Sequence, residues 1–253
     1  MAVERANLIT RINFLNVPMD IVQEEDLETA IRLMASAKAK QQIVLLSFRD
    51  FMLARQSAER RLMLNQAALV LPTSKTLVRG IACLKLGEAR RYMPFELVIK
   101  VLGVIEKLNG TLYVLGGRTR EQNITAGNLR DSFPGLKLIG RYAGYYPKER
   151  EEDILTAIKK AAPTLLLTGG GLKGRDLWIY RHKEKLHDGL YCWCAECFDI
   201  FCGKKPRLSR TQWERGLDQI PRFFKNPLRF FLIFPRLWYY LVLLVYRIRQ
   251  KTP

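Results

Sequence analysis

The sequence predicts an α/β protein in which helices cover both faces of a largely parallel β-sheet, followed by a helical C-terminal appendage. Two observations predict the sheet. Short apolar runs alternate with segments of helical period over the first 200 residues, and strands separated by helices form parallel βαβ crossovers. A third observation, the basic and apolar composition of the last fifty residues, predicts the appendage. With 253 residues the chain can bury the core of one large domain.

The individual elements follow from length and periodicity. Seven short apolar segments are predicted strands: residues 12–21, 42–48, 68–72, 112–116, 136–142, 163–168 and 189–194. Six segments with apolar residues at helical spacing are predicted helices: residues 25–37, 48–66, 95–108, 119–132, 149–161 and 175–186. Glycine, proline and lysine cluster at residues 203–206, so we place the boundary between a body, residues 1–203, and the appendage, residues 204–253.

The appendage combines basic charge with apolar content. It holds twelve Lys/Arg against two acidic residues, and so carries +10 of the net charge of +18. Wound as one helix over residues 215–251, most of its basic residues, among them Arg222, Arg229 and Arg236, fall within an arc of roughly 80°. We expect its prolines to kink or break that helix.

The apolar part of the appendage favours a membrane surface. The longest apolar run, residues 237–246 with Trp238, is ten residues long, and a spanning helix needs about 20. The segment therefore predicts peripheral association with an anionic membrane. The alternative is a C-terminal helix packed on the core with its arginines in water. Nucleic-acid binding is not favoured, because the charge lies beside long aliphatic runs.

The ends of the sequence and its cysteines bear on location. The N-terminus has no apolar signal region, and five cysteines fit a reducing compartment. The expected location is therefore the cytoplasm, at the inner face of the cell membrane. Four of the cysteines, Cys192, Cys194, Cys197 and Cys202, are clustered. Their spacing matches no standard zinc pattern, so core packing is favoured over a metal site.

Two glycine-rich turns follow predicted strands and open helices. One contains Gly116, Gly117 and Arg118; the other contains Gly170, Gly171, Lys173 and Arg175. Glycine lets backbone N–H groups approach a phosphate, and a helix N-terminus favours an anion. A nucleotide-sugar diphosphate fits such turns, and ordinary tight turns are the alternative. Neither turn matches a dinucleotide or Walker motif.

An ordered set of segments resembles the bacterial WecG/TagA/CpsF glycosyltransferase family. The segments that carry the resemblance are residues 14–20 (FLNVPMD), 53–55 (LAR), 69–72 (LVLP), 113–117 (YVLGG), 133–140 (FPGLKLIG) and 144–146 (GYY), then Trp178, Asp199 and Gly203, and in the appendage Arg207, residues 216–218 (GLD), Arg222, Pro227 and Arg229. The resemblance covers nearly the whole length.

The resemblance implies a Rossmann-like body with a membrane-associating appendage. It also implies an enzyme that transfers an N-acetylhexosamine from a UDP-sugar to a polyprenyl-diphosphate-linked glycan, with Arg207 on the substrate and no cofactor beyond the donor. The oligomeric state stays open and includes a homo-oligomer.

The sequence departs from the family where the resemblance would place catalysis. The family has an Asp-Gly pair after its LVLP strand, and that aspartate is its presumed general base; here the pair is Thr73-Ser74. Deprotonating a sugar hydroxyl needs a carboxylate or similar base within hydrogen-bonding reach. Glu96 is the best candidate to replace it, and Asp176 the second. The alternative is a catalytically inactive scaffold on the same pathway.

Overall fold

The computed structural model describes residues 8–215 and 233–249. Its strands are β1 (Ile9–Phe14), β2 (Val17–Val22), β3 (Lys40–Leu46), β4 (Leu69–Pro72), β5 (Thr111–Leu115), β6 (Lys137–Tyr142), β7 (Leu165–Thr168) and β8 (Gly189–Trp193). The last six form one sheet in the order β4-β3-β8-β7-β5-β6, and all its pairings are parallel. β1 and β2 form a separate antiparallel hairpin.

Helices cover both faces of this sheet. They are α1 (Glu24–Ser36), α2 (Phe48–Gln56), α3 (Ala58–Gln66), α4 (Lys75–Cys83), α5 (Pro94–Lys107), α6 (Thr119–Ser132), α7 (Glu151–Ala161), α8 (Asp176–His182), α9 (Ala195–Phe201), α10 (Arg210–Arg215) and α11 (Ile233–Arg249). The predicted α/β class and the parallel sheet with helices on both faces are confirmed.

Alternation along the strands decides which helices meet which face. In β3, Ile43 and Leu45 point into a core shared with α1, α5, α6 and α9. Val44 and Leu46 point into the opposite core, which α2, α3, α4, α11 and the hairpin cover. A third cluster packs α7 and α8 on that second face, further along the sheet. The buried strands β3, β4, β5, β7 and β8 are therefore largely apolar on both faces.

Two predicted elements are divided in the structure. The strand predicted over residues 12–21 is a hairpin, because Leu15 and Asn16 both adopt positive φ (50° and 65°) in a two-residue turn. The helix predicted over residues 48–66 is two helices. Ser57 has extended backbone between them, and its Oγ accepts a hydrogen bond from the Arg60 N–H (3.3 Å), which caps α3.

Two helices, α4 and α9, of nine and seven residues, were not predicted. In the appendage, where a helix over residues 215–251 is predicted, the structure describes α11 over Ile233–Arg249, with Pro235 inside it. Residues 216–232, with Arg222 and Arg229, lie outside the described part of the chain. The boundary at residue 203 stays a prediction.

Candidate functional site

The carboxyl ends of the six parallel strands lie along one edge of the sheet, where open α/β folds bind ligands. Thr73 follows β4, the first glycine turn follows β5 and the second follows β7. The structure thus brings the predicted site segments to a common edge, although not into one cavity.

Thr73 is buried and serves the backbone around it. Its N–H donates to the carbonyl of Leu46 at 3.0 Å, and its hydroxyl reaches the same carbonyl at 3.3 Å. The next residue, Ser74, caps α4 by accepting from the Thr76 N–H at 3.3 Å. Neither side chain can act as a base alone, so this position supplies structure in place of the carboxylate implied by the resemblance.

Arg91 ties the end of β4 to the start of the appendage. Its Nε donates to the Thr73 carbonyl at 2.9 Å, and its Nη1 donates to the Trp213 carbonyl at 2.7 Å. The guanidinium also stacks on the Trp213 ring, 3.6 Å from the centroid. Trp213 is buried, and its Nε1 has no hydrogen-bond partner among the described residues.

A cavity of about 350 Å³ adjoins this contact, between α1, α4, α5 and α10. We call it the basic cavity. Five cations and two carboxylates are among the residues that line it: Lys75, Arg90, Arg91, Lys100, Arg210, Glu24 and Glu96. Glu24 pairs with three of those cations, at 2.9 Å from Arg90 and 3.6 Å from both Lys100 and Arg210. With five cations and two carboxylates in its lining, the basic cavity has a net positive charge.

Glu96 lies in the wall of the basic cavity with its side chain 35% exposed. Arg207, predicted to bind substrate, places its Nη2 3.6 Å from the Glu96 carboxylate and its guanidinium 5.5 Å from the Phe95 ring centroid. The structure therefore brings together two of the predicted site residues, a carboxylate that a ligand can reach and a guanidinium beside it.

The glycine turns pack against each other instead of forming an open cradle. The N–H groups of Gly116 and Gly117 donate to the carbonyls of Tyr142 and Gly170, at 3.0 and 2.8 Å. Gly144 lies between the turns, and a Cβ there would collide with the Gly170 carbonyl oxygen. These two N–H groups are engaged within the protein, and a substrate-binding role for Gly116 and Gly117 stays a prediction. A substrate-binding role for Gly170 and Gly171 stays a prediction.

The charged residues beside these turns differ in whether other protein groups already bind them. Arg118 and Lys173 are exposed, and the Arg118 guanidinium lies 5.8 Å from the Tyr145 ring centroid. Arg175 already has partners within the protein. Its Nη1 forms a salt bridge with Asp50 at 3.0 Å, and its guanidinium is 4.9 Å from the Trp193 ring centroid. Arg118 and Lys173 therefore remain the better candidates to contact an anionic substrate.

Asp176 is buried at the start of α8. Burial raises its pKa to about 8, and the neighbouring Asp50 carboxylate adds to the rise. Its Oδ1 is buried without a hydrogen-bond partner among the described residues, and Gln42 Nε2 donates to its backbone carbonyl at 3.0 Å. A carboxyl group shielded in this way cannot reach a substrate hydroxyl, which argues against the predicted role as a base.

The cysteine cluster belongs to the core. Cys192, Cys194 and Cys197 are buried, and the sulfurs of Cys194 and Cys197 are 3.1 Å apart. Burial raises the pKa of Cys192 and Cys197, which keeps both thiols protonated. Cys202 is partly buried and donates to the Asp199 carbonyl at 3.6 Å. In the described chain no group of three or more His, Cys, Asp or Glu residues forms a metal site.

α11 packs one face on the body and leaves an apolar face outward. Tyr239 is fully buried, donates to the Thr76 carbonyl at 3.0 Å, and meets the Phe48 ring edge-on. Seven large apolar side chains of the helix are about half exposed: Leu237, Trp238, Tyr240, Leu241, Leu244, Val245 and Ile248. By helical phase Arg236 and Arg247 lie at the border of this outer face, next to Tyr240. None of the described helices combines the length and hydrophobicity of a membrane span.

Sequence reasoning missed most of the basic cavity. Lys75, Arg90, Lys100 and Arg210 come from four separate segments, and none belongs to a motif. Only the tertiary packing of these segments brings the cations together.

The fold and this cavity define an α/β protein with a positively charged cavity near the carboxyl edge of a parallel sheet. The chain matches the Glycosyl transferase WecG/TagA/CpsF family over residues 12–253, and it belongs to that family. It is also similar to the N-acetylglucosaminyldiphosphoundecaprenol N-acetyl-beta-D-mannosaminyltransferase of Bacillus spizizenii. The two are 19% identical over 176 residues, which cover 70% of this chain and 68% of the relative.

Proposed function

We propose that this protein is a membrane-associated glycosyltransferase of cell-surface polysaccharide synthesis. It transfers an N-acetylhexosamine from a UDP-sugar to a polyprenyl-diphosphate-linked glycan at the cytoplasmic face of the membrane. Family membership supports the reaction class, and the name of the Bacillus relative, which specifies a diphosphoundecaprenol-linked acceptor, supports the acceptor class.

The basic cavity is the observation that carries this proposal. Its cations exceed its carboxylates, and guanidinium and ammonium groups are the usual partners of phosphate oxygens. A diphosphate held here lies beside Glu96, the carboxylate that the cavity exposes.

Glu96 is then the general base. The acceptor hydroxyl oxygen forms a bond to the anomeric carbon of the donor sugar, the bond from that carbon to UDP breaks, and the hydroxyl proton passes to the Glu96 carboxylate. Arg207, 3.6 Å from Glu96, orients that carboxylate and interacts with the departing phosphate charge. Thr73 holds the adjacent backbone through Leu46 and Arg91.

The outer face of α11 supports membrane association. Apolar and aromatic side chains cover it, and burying such a face in the interface of a bilayer stabilises peripheral binding. A lipid-linked acceptor is confined to the membrane surface, so docking there brings the cavity to its substrate.

A transfer assay with UDP-N-acetylhexosamines and a polyprenyl-diphosphate acceptor tests the reaction. Glu96→Gln keeps the size of the side chain and removes its basicity, so it is expected to lower kcat at least about a hundredfold. The control is Glu149→Gln, which makes the same change at an exposed position of the 3₁₀ helix Lys148–Arg150. Full activity of Glu96→Gln in an active wild type would refute the assignment of the base.

The second candidate function is a catalytically inactive protein that binds or scaffolds on the same pathway. The observation that favours it is Thr73, whose hydroxyl is bonded to Leu46 where the family resemblance implies a carboxylate. If the wild type is inactive with every donor and Thr73→Asp creates activity, this candidate is correct. Binding of UDP-sugars, measured by calorimetry, shows independently whether the donor site is retained.

A further inference from the structure

A second cavity lies away from the sheet edge, between the β1–β2 hairpin and the α2–α3 pair. We call it the hairpin cavity. Its volume is about 650 Å³. Three arginines and three asparagines dominate its lining: Arg11, Arg55, Arg61, Asn13, Asn16 and Asn65. Among the described residues that line it, none is acidic.

Two of the arginines are fixed in place by the protein. Arg11 forms a bidentate pair with Asp20, at 2.7 and 2.8 Å, and Asp20 is buried beneath it. Arg61 donates to the carbonyls of Ala54 and Arg55, at 3.2 and 2.8 Å, in the last turn of α2. Asp20 thus neutralises Arg11, whereas the carbonyl contacts leave the full charge of Arg61 in the cavity.

Arg55 provides the second uncompensated charge. Its side chain is partly buried and forms no ion pair with a carboxylate in the described residues. The acidic residues on the same pair of helices have other partners, because Asp50 binds Arg175 and Glu59 binds Arg181. Arg55 and Arg61 together give the cavity a net charge of two positive units. The asparagine amides around them can donate and accept hydrogen bonds.

The rim of the hairpin cavity meets α11. Asn16 Nδ2 lies 3.4 Å from the Tyr246 hydroxyl, and Phe14, next to the turn, packs against Tyr239 with ring centroids 6.4 Å apart. Arg55 is close enough to Tyr239 to oppose the rise that burial causes in the pKa of that hydroxyl. A cationic cavity therefore adjoins the helix whose outer face is apolar.

We propose that the hairpin cavity binds the phosphate group of an anionic phospholipid when α11 lies on the bilayer. This inference rests on the proposed membrane association. The apolar face of α11 takes the acyl region as its partner, and a headgroup phosphate at the same surface is then beside Arg55 and Arg61. Guanidinium groups bind phosphate oxygens in a bidentate manner, and neighbouring amides complete the coordination.

The test measures co-sedimentation of full-length protein with vesicles of phosphatidylcholine, with and without phosphatidylglycerol, at constant salt. The key variant is Arg55→Lys, which keeps the charge and loses the guanidinium fork. If the cavity is a site, Arg55→Lys and Arg55→Gln each weaken the phosphatidylglycerol-dependent part of binding about tenfold. Diffuse attraction predicts that Arg55→Lys binds as wild type does, and that result overturns the inference.

Two controls separate this inference from the proposed function. Arg130→Gln makes the same charge change as Arg55→Gln on exposed α6, and its effect gives the contribution of diffuse charge. Leu241→Ser with Leu244→Ser removes part of the outer face of α11. Loss of all vesicle binding in that variant, together with a neutral Arg55→Lys, overturns the headgroup site and leaves membrane association intact.

Titrations without vesicles distinguish a lipid headgroup from a soluble phosphate compound as the ligand of the hairpin cavity. Inorganic phosphate and glycerol 1-phosphate are titrated against the protein without vesicles, with amide chemical shifts of the hairpin as the readout. The proposal expects weak binding of both and strong binding only on vesicles. Saturation by inorganic phosphate at micromolar concentration, with no preference for phosphatidylglycerol, would assign the cavity to a soluble phosphate compound and overturn the lipid assignment.

Discussion

Asp176 shows how burial changes the role of a single residue. A carboxyl group with the Asp50 carboxylate near it, buried and with one oxygen unpartnered, is more stable protonated than ionised. By contrast Glu96, which stands beside Arg207 in the cavity wall, is partly exposed. Sequence alone ranks both as acids near a predicted site, and burial separates them.

The buried Asp176 predicts that the protein loses stability as pH rises. In the folded chain the pKa is raised from 3.8 to about 8, so between these values the folded state holds a proton that the unfolded state releases. The free energy of unfolding should therefore fall by on the order of 1 kcal/mol per pH unit over that range. Asp176→Asn should flatten this slope in denaturant titrations, and the exposed Asp188→Asn should not. An unchanged slope in Asp176→Asn would show that the raised pKa is wrong.

α11 has one face packed on the body of the protein and an opposite face that is apolar and exposed. Its inner face is fixed by Tyr239, which fits over Gly80 of α4; a Cβ at that glycine would collide with the Tyr239 hydroxyl. Its outer face exposes seven large apolar side chains, and the exposed Arg247 lies at its border. A helix that served only to cover the core would have a polar outer face.

We predict that Leu241→Ser with Leu244→Ser weakens binding to anionic vesicles at least about tenfold, because each leucine contributes part of the roughly 1.5–3 kcal/mol of a buried side chain. The thermal stability should change little, since both side chains are more than half exposed. Ile124→Ser on α6, another exposed apolar residue, is the matched control. Equal vesicle binding by the double variant and wild type would contradict the membrane docking of α11.

At the scale of the whole molecule, the side chains that could contact a ligand are distributed along the carboxyl edge of the sheet. The basic cavity adjoins the β4 end, whereas Arg118 and Tyr145 lie beside the turns that follow β5 and β6. The glycines between them hold the turns together through Gly117, Gly144 and Gly170. The proposed nucleotide sugar would therefore contact side chains at this edge more than backbone N–H groups.

Arg118→Ala is expected to weaken UDP binding at least about tenfold, because a charge-assisted contact contributes on the order of 1.5–3 kcal/mol. The control is Arg120→Ala, two residues further along the chain and also exposed. Calorimetry measures the binding of UDP. Arg175→Ala is less selective because it also breaks the pair with Asp50. Absence of any UDP affinity in wild type at millimolar concentration would contradict the donor assignment.

The sequence by itself determined the α/β class, the parallel sheet and most of its elements. Apolar period and strand–helix alternation are local properties, and glycine and proline mark the turns between them. The same local information could not divide the helix at Ser57 or show that Leu15 and Asn16 form a turn, because each depends on how the flanking segments pack.

Only the tertiary structure decided which residues share a site. Glu96 and Arg207 are 111 positions apart and meet because the chain after α9 returns across α5. Burial removed Asp176 from the candidate bases, and packing of Tyr239 over Gly80 determined which face of α11 points outward. Distances between remote segments and desolvation arise from the packed chain as a whole, and neither is a property of a local pattern.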